Sequence, residues 1–321
     1  MNIVFMGTAE LACPSLDALA SDNRFRVLAV VTQPDKPKGR QLKLQPSPVK
    51  KIALSKNLPV LQPPRARADD FIAQLRALQP ELIIVAAYGQ ILPQPLLDIP
   101  PHGCLNVHAS ILPGYRGAAP IQWAVFNGDP ETGVTIMKMD ASLDTGDILA
   151  ERRTPIADTD NAQTLHDRLA KMGAQLLLQT IPGYVSGQIK PRPQPSADAS
   201  YARKITKEDG AIDWKRPARA IWNQMRAFTP WPGAYTYAAI GGSPRLLKIW
   251  AASPQEHASK TAGEIIDSGR FGILVACGEH ALRILELQLE GGRRLAAQQF
   301  LAGHSLKPGD HFVDPPKASN S

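Results

Sequence analysis

The chain reads as an α/β protein in two parts: a Rossmann-like, mostly parallel sheet with crossover helices, followed by a small OB-like β-barrel. Three observations predict this. Short apolar runs alternate with helix-period patterns through the first half, the signature of βαβ units. A proline-rich stretch, Lys190-Pro191-Arg192-Pro193-Gln194-Pro195-Ser196, then interrupts the pattern. Beyond it, short runs separated by glycine and proline punctuation take over, as in a small closed barrel. A length of 321 residues agrees with this, since domains of roughly 150 residues make two the expected number.

The elements follow in order. Residues 2–6 form a strand that ends on Gly7, and Leu11, Leu16 and Leu19 mark the helix after it. Gly7-Thr8-Ala9 opens like a dinucleotide site, but the G-x-G-x-x-G pattern is absent, so bound NAD is not expected. Strands are predicted over 27–32, 60–61, 82–86, 104–108 and 134–139, with helices over 48–56, 69–78, 119–126 and 164–181. The run at 82–86 is continuously apolar, which suits a strand buried on both faces. In the second part, strand-like runs occupy 234–239, 245–251, 265–266, 273–276 and 282–287. No internal repeat is present. The domains are therefore drawn as 1–188, a linker over 189–206 that runs as an extended, semi-rigid spacer, a barrel over 207–314, and a frayed tail over 315–321.

The connection from Gln33 to Pro48 is unusual. Its four prolines and one glycine argue against regular structure, and Lys36, Lys38, Arg40 and Lys43 outweigh Asp35. A loop this long inside a domain is usually functional or disordered, and its charge suits a polyanion. The charge of the whole chain points the same way. Of the net +7, residues 189–321 carry +6 and residues 1–188 only +1. A basic second part fits an acidic partner such as nucleic acid.

Other classes are excluded. The longest apolar run, 82–88, is far short of the roughly twenty residues of a membrane-spanning helix. Residues 1–7 lack the basic start and long apolar core of a secretory signal. Cys13, Cys104 and Cys277 are dispersed, which argues against a disulfide framework or a cysteine-built zinc site and fits a reducing cytoplasm. No histidine spacing of the H-E-x-x-H kind occurs, so no metal is expected.

The chemistry-bearing stretch runs from Gly103 to Pro120. Alternate side chains of a strand share a face, so Asn106 and His108 point together while Val107 points away. The strand breaks at residues 110–113, which places both polar groups at its carboxyl end, where open α/β sheets hold ligands. The next strand leads into the acidic turn Asp140-Ala141-Ser142-Leu143-Asp144-Thr145-Gly146-Asp147, which can bring a carboxylate to the imidazole. Amide, imidazole and carboxylate together suit acyl transfer: two hydrogen-bond donors for a developing oxyanion and a carboxylate to stabilise the imidazolium. No serine or cysteine nucleophile joins them, so direct attack by an amine is the simplest chemistry.

Several separated motifs resemble those of the formyltransferases that use 10-formyltetrahydrofolate. They are Phe5-Met6-Gly7-Thr8, Thr32-Gln33-Pro34-Asp35, Pro46-Ser47-Pro48-Val49-Lys50, Ala86-Ala87-Tyr88-Gly89, the Asn106–Pro113 and Tyr115–Pro120 segments, Gly133–Asp140, Leu143–Asp147, Ile212-Asp213-Trp214 and Arg226–Ala234. The resemblance implies catalytic roles for Asn106, His108 and Asp144. It also implies a folate site lined by Ser110, Ile111, Leu112 and Pro113 with Val85, Tyr88 and Gly89. The implied donor is 10-formyltetrahydrofolate and the implied acceptor initiator methionyl-tRNA, gripped by Arg40 with Lys38 and Lys43 and held by the barrel, with no metal, membrane or obligate protein partner. Ile111 departs from the family's usual leucine but keeps volume and apolarity, and Gln41-Leu42 makes the basic loop less basic than in many relatives. Two rival readings stand beside this one: a formyltransferase acting on an amino-sugar nucleotide, and a non-catalytic RNA-binding module.

Overall fold

The computed structural model describes residues 1–38, 43–258 and 260–313. Arg40 and the tail expected to fray (315–321) lie outside the described residues. Packing divides the chain into two compact units. The first comprises Met1–Ile121, Glu131–Ile156 and Thr164–Arg203, and the second Gln122–Pro130, Ala157–Gln163 and Lys204–Ser321. No helix among the described residues is long and apolar enough to cross a membrane.

Up to Arg203 the elements are β1 (Asn2–Gly7), α1 (Cys13–Ser21), β2 (Arg26–Val31), β3 (Lys36–Lys38), β4 (Lys43–Gln45), α2 (Pro48–Ser55), β5 (Val60–Leu61), α3 (Asp69–Leu78), β6 (Leu82–Ala86), α4 (Gln94–Leu97), β7 (Cys104–His108), β8 (Arg116–Gly117), α5 (Pro120–Asn127), β9 (Glu131–Lys138), β10 (Ile148–Pro155), α6 (Ala162–Val185) and β11 (Tyr201–Ala202). All lie in the first unit except most of α5 and the first two residues of α6, which belong to the second. The main sheet has the order β10-β9-β7-β6-β1-β2-β5, and within it β9 alone runs antiparallel to its neighbours. The expected Rossmann-like sheet is present. The chain leaves β1 toward β2 and β5, then returns past β1 to β6 and β7. That reversal creates a topological switch at the carboxyl edge of β1 and β6, where such sheets bind ligands. Every residue of β6 and β7 is buried, as strands covered by helices on both faces require. On one face, Val4, Met6, Ile83 and Val85 pack with Phe71, Ile72 and Leu75 of α3. On the other, α6 approaches β7 so closely that a Cβ on Gly173 would stand 2.7 Å from Val107 Cγ1. Val107 therefore faces α6, and Asn106 and His108 face the opposite side.

Three of the departures from the sequence reading lie in the first unit. The Gln33–Pro48 connection holds regular structure: β3 and β4 form an antiparallel ribbon pairing Lys36 with Gln45, Pro37 with Leu44 and Lys38 with Lys43. A two-stranded ribbon points alternate N–H groups outward, so Pro37 at such a position removes no ladder bond. The strand β10 has no counterpart among the expected elements because Glu151-Arg152-Arg153 interrupt its apolar pattern. It lies at the sheet edge, where charged residues belong. The proline-rich stretch is docked rather than free. Arg192 and Ile148 exchange backbone hydrogen bonds of 2.9 and 2.8 Å, and β11 pairs in parallel with β8.

In the second unit lie α7 (Ala218–Ala227), β12 (Ala234–Ile240), β13 (Ser243–Gln255), β14 (Ile265–Gly269), β15 (Gly272–Ala276), β16 (Ala281–Leu289), β17 (Arg294–Ala296), α8 (Ala297–Gly303) and β18 (Phe312–Val313). Antiparallel strands follow the order β14-β15-β16-β13-β12-β18, with β17 on β16. A bridge between Glu264 and His311 links the two ends of that order and curls the sheet into the OB-like barrel the sequence predicts. Register shifts in β13 near Ile249–Ala252 add the local twist a small barrel needs. Inside, Leu247, Ile249, Ile273, Val275, Ile284 and Leu287 pack with Trp214, whose ring stacks on Phe312 and whose Nε1–H donates to Thr236 Oγ1 at 3.0 Å.

Candidate active site

The site is built on β7. Asn106 stands between Val85 of β6 and Met137 of β9, and His108 stands opposite Thr135. The strand ends there because the chain turns at once into Ala109–Gly114, and three hydrogen bonds hold that turn. Ser110 Oγ donates to Gly114 O at 2.6 Å, Thr135 Oγ1 donates to Ser110 O at 2.7 Å, and Leu112 N donates to Thr135 Oγ1 at 3.1 Å. Thr135 is fully buried. Thr135→Val keeps its shape but orphans a buried carbonyl and a buried N–H, a loss of about 1–3 kcal/mol of stability. A denaturant titration checks this, and an unchanged midpoint contradicts it.

The imidazole is fixed on both sides. His108 Nε2 lies 3.0 Å from Tyr115 O. A carbonyl oxygen only accepts, so Nε2 carries the hydrogen. Nδ1 is left facing Asp144 Oδ2 across 3.7 Å, with the two side chains 6% and 13% exposed. The same carboxylate oxygen accepts the Gly117 N–H at 2.8 Å. A doubly protonated ring thus finds an acceptor at Nε2 and a carboxylate charge at Nδ1. Asn106 is buried beside this arrangement, and among the described residues its side-chain amide has no hydrogen-bond partner.

Of the carboxylates in the acidic turn, two have distinct tasks. Asp140 organises the turn itself, accepting from Thr145 Oγ1 at 2.7 Å and from Ser142 N at 3.0 Å. Asp144 alone pairs with the imidazole, with its backbone in the left-handed region at φ 53°. The turn closes tightly over β9. A Cβ on Gly146 would fall 1.8 Å from Lys138 O, so only glycine fits there.

The residues expected to wall a folate pocket lie near the end of β6 (Val85) and on the two loops that leave β6 and β7. Ser110 and Leu112 are buried, Leu112 against Met137 and Ile148, while Ile111 and Pro113 are half-buried. Val85 and Tyr88 belong to the same apolar cluster as Leu92. The Tyr88 hydroxyl is buried without a hydrogen-bond partner among the described residues, and burial pushes its pKa up to about 12. Gly89 adopts φ 81°, and Gln33 Nε2 donates to Tyr88 O at 2.8 Å and to Gly89 O at 3.2 Å, tying this loop to the end of β2. Thr8 Oγ1 donates to Tyr88 O as well, at 3.0 Å.

Of the cations assigned to tRNA, Arg40 lies outside the described residues, and Lys38 and Lys43 are register partners across the β3–β4 ribbon. The ribbon's base is anchored by Lys50, which donates to Asp35 Oδ2 at 2.7 Å and, with Gln62, holds the Asp35 carboxyl below its usual range. A cleft of about 490 Å³ opens between this ribbon and the end of β1, lined by Thr8, Gln33, Lys36, Gln45, Ser47 and His166 among others. It contains none of the Asn106–His108–Asp144 trio. Among the described residues no group of three or more His, Cys, Asp or Glu is placed to hold a metal ion.

Several contributors have no signal in the sequence: the Tyr115 carbonyl, the Gly117 N–H, Thr135 and, from the expected linker, Gln194 and Ser200. Each acts through a backbone group or at a distance in sequence that no spacing rule links to His108.

A parallel sheet with an amide, an imidazole and a carboxylate at the end of one strand, followed by a small barrel, defines a class. Residues 1–181 match the Formyl transferase family and residues 204–305 match Formyl transferase, C-terminal domain. The chain belongs to the formyl transferase family. It is similar to the methionyl-tRNA formyltransferase of Citrifermentans bemidjiense, at 52% identity over 96% of this chain and 95% of that one. It is also similar to that of Caldanaerobacter subterraneus subsp. tengcongensis, at 50% identity over 96% of this chain and 99% of that one. Among solved structures, the fold is shared with HypX from Aquifex aeolicus in complex with tetrahydrofolic acid (TM-score 0.59, 16% identity, 98% of this chain and 50% of that chain). It is shared too with an N-formyltransferase from Helicobacter canadensis in complex with folinic acid and dTDP-3-aminofucose (TM-score 0.60, 19% identity, 88% and 98%).

Proposed function

We propose that the chain transfers the formyl group of 10-formyltetrahydrofolate to the α-amino group of initiator methionyl-tRNA, giving N-formylmethionyl-tRNA for translation initiation in the cytoplasm. The observation that carries the chemistry is the trio: His108 fixed by Tyr115 O, Asp144 facing its other nitrogen, and the Asn106 amide without a hydrogen-bond partner among the described residues. The choice of acceptor is supported by the 52% identity to a methionyl-tRNA formyltransferase over nearly the whole chain and by the basic second part. In this reading residues 1–188 carry the reaction and 207–314 hold the tRNA.

The residues at the ends of β6 and β7 suit a folate. The Tyr88 hydroxyl is buried within an apolar cluster and has no hydrogen-bond partner among the described residues, as fits a wall for a flat ring bearing polar atoms. The donor supplies an activated formyl carbonyl, and the chain's own groups do the rest. As the amine attacks, the Asn106 N–H and the His108 Nδ1–H hydrogen-bond the oxygen on which charge develops. Asp144 sustains the charge of the imidazole while the oxyanion forms. As the tetrahedral centre collapses, the bond from the formyl carbon to N10 of the donor breaks, tetrahydrofolate leaves with a proton on N10 supplied by His108, and the proton lost by the amine restores the balance. The Tyr115 carbonyl keeps the Nε2 hydrogen in place, so that Nδ1 is the nitrogen presented to the reaction. Val85, Tyr88, Gly89 and the Ser110–Pro113 turn hold the donor, and Lys38, Arg40 and Lys43 grip tRNA phosphates.

Purified protein offered a labelled formyl donor with initiator methionyl-tRNA, elongator methionyl-tRNA or an amino-sugar nucleotide tests the reading. Label on the initiator tRNA supports it; label on the sugar alone, or on no acceptor, overturns it. Arg40→Ala is expected to weaken tRNA binding and lower the slope of log affinity against log salt by about 1 while sparing donor binding. An unchanged slope and affinity remove the loop from the tRNA contact.

A further inference from the structure

We infer that Gln194, in the docked proline-rich stretch, is a positioning residue for the reaction: its amide sets Asp144 against His108. The inference rests on the formyl-transfer reading above. The Gln194 side chain uses its whole hydrogen-bonding capacity within the site. Nε2 donates to Asp144 O at 2.9 Å and to Gly146 O at 2.7 Å. Oε1 accepts from Arg116 Nε at 3.0 Å and from Arg116 Nη2 at 2.7 Å. The orientation of the amide is fixed by chemistry, because a guanidinium only donates and a backbone carbonyl only accepts.

These four bonds join the two chain segments that deliver the carboxylate. The backbone of Asp144 sits in the left-handed region and is held there by the Nε2 bonds on either side of Thr145. The Asp144 carboxylate is aimed by the Gly117 N–H, one residue after Arg116. Arg116 is almost fully buried, so its guanidinium needs the amide oxygen as much as Asp144 needs the amide nitrogen. The same stretch braces the other partner of the imidazole. Ser200 Oγ accepts from Tyr115 N at 2.9 Å, and Ser200 O accepts from Arg116 N at 2.8 Å. Both acceptors around His108, the Tyr115 carbonyl and the Asp144 carboxylate, are therefore referenced to residues 194–200. A stretch read from sequence as an extended spacer completes the catalytic geometry, and it is not extended throughout: Ser196–Asp198 form a 3-10 turn between Gln194 and Ser200.

The test compares kcat and KM of wild type, Gln194→Ala and Gln194→Glu, with Asp144→Asn and the Gln194→Ala/Asp144→Asn double variant, each measured well below its own melting temperature. Gln194→Ala is expected to lower kcat by roughly 10–10²-fold, the range of a misplaced catalytic group, with KM for the donor unchanged. Glutamate keeps the length and the Arg116 bonds, and so the fold, but turns an oxygen toward two carbonyls. It is expected to melt no lower than Gln194→Ala and still fail to restore kcat. In the Asp144→Asn background the Gln194→Ala penalty is expected to shrink to within about twofold, because residues acting as one unit are not additive. Wild-type kcat in Gln194→Glu, or an undiminished Gln194→Ala penalty without the Asp144 carboxylate, overturns the inference. An inactive wild type instead overturns the functional reading beneath it, so the two failures are told apart.

Discussion

His108→Ala is expected to slow single-turnover formylation by about 10²–10⁴-fold, the scale on which removal of a positioned proton-transferring group acts. The geometry gives the reason. The imidazole is held at Nε2 by the Tyr115 carbonyl at 3.0 Å and faces Asp144 across 3.7 Å, so one nitrogen is locked and the other is available to the reacting oxygen. Alanine removes the donor and leaves the Asp144 carboxylate facing a hole. Asparagine at 108 is too short to reach both acceptors and is expected to restore little. Rapid-quench measurement with saturating donor and initiator methionyl-tRNA isolates the chemical step from product release. A rate close to wild type removes His108 from the mechanism and the trio with it.

The strand that carries this residue was legible because burial on both faces leaves a plain mark. Leu82–Ala86 is an unbroken apolar run, and Asn106 and His108 are polar exceptions on one face of Cys104–His108, a strand that is otherwise apolar. A polar residue at a buried strand end needs a partner or a purpose, and period-2 alternation says that the two share a face. The acidic turn was legible as a source of carboxylate, but not which carboxylate. Asp140 and Asp144 are of one residue type four positions apart, and only the backbone path, with Gly146 closing on Lys138 and Asp144 in the left-handed region, separates the turn-maker from the imidazole's partner. Gln194 was beyond reach of such reasoning. Its partners are backbone carbonyls and a guanidinium 48 to 78 residues away in sequence, and a backbone carbonyl has no signature in a sequence. The ribbon of β3 and β4 was hidden for a different reason. Proline content argues against strand interiors, yet a two-stranded ribbon has an open edge on which proline costs nothing.

Asn106→Ala is expected to lower the single-turnover rate by about 10²–10³-fold, the cost of removing one oxyanion donor, while leaving the melting temperature near that of wild type. The two expectations together are the diagnostic. A buried asparagine kept for structure makes hydrogen bonds, and its loss leaves partners unsatisfied, as Thr135→Val does on the neighbouring strand. The Asn106 amide has no such partner among the described residues, and its backbone is secured independently by pairing with Val85 and Met137. Truncation therefore removes little that folding uses and a donor that the reaction uses. Asn106→Asp sharpens the test, because the side chain is nearly isosteric but sets a negative oxygen where the developing oxyanion must lie. Its rate is expected to fall below that of the alanine variant, a rank order that a loss of packing alone cannot produce. If alanine and aspartate both turn over within about threefold of wild type, a change of only about 0.65 kcal/mol in the activation barrier, the amide is not an oxyanion donor and the attack takes place elsewhere.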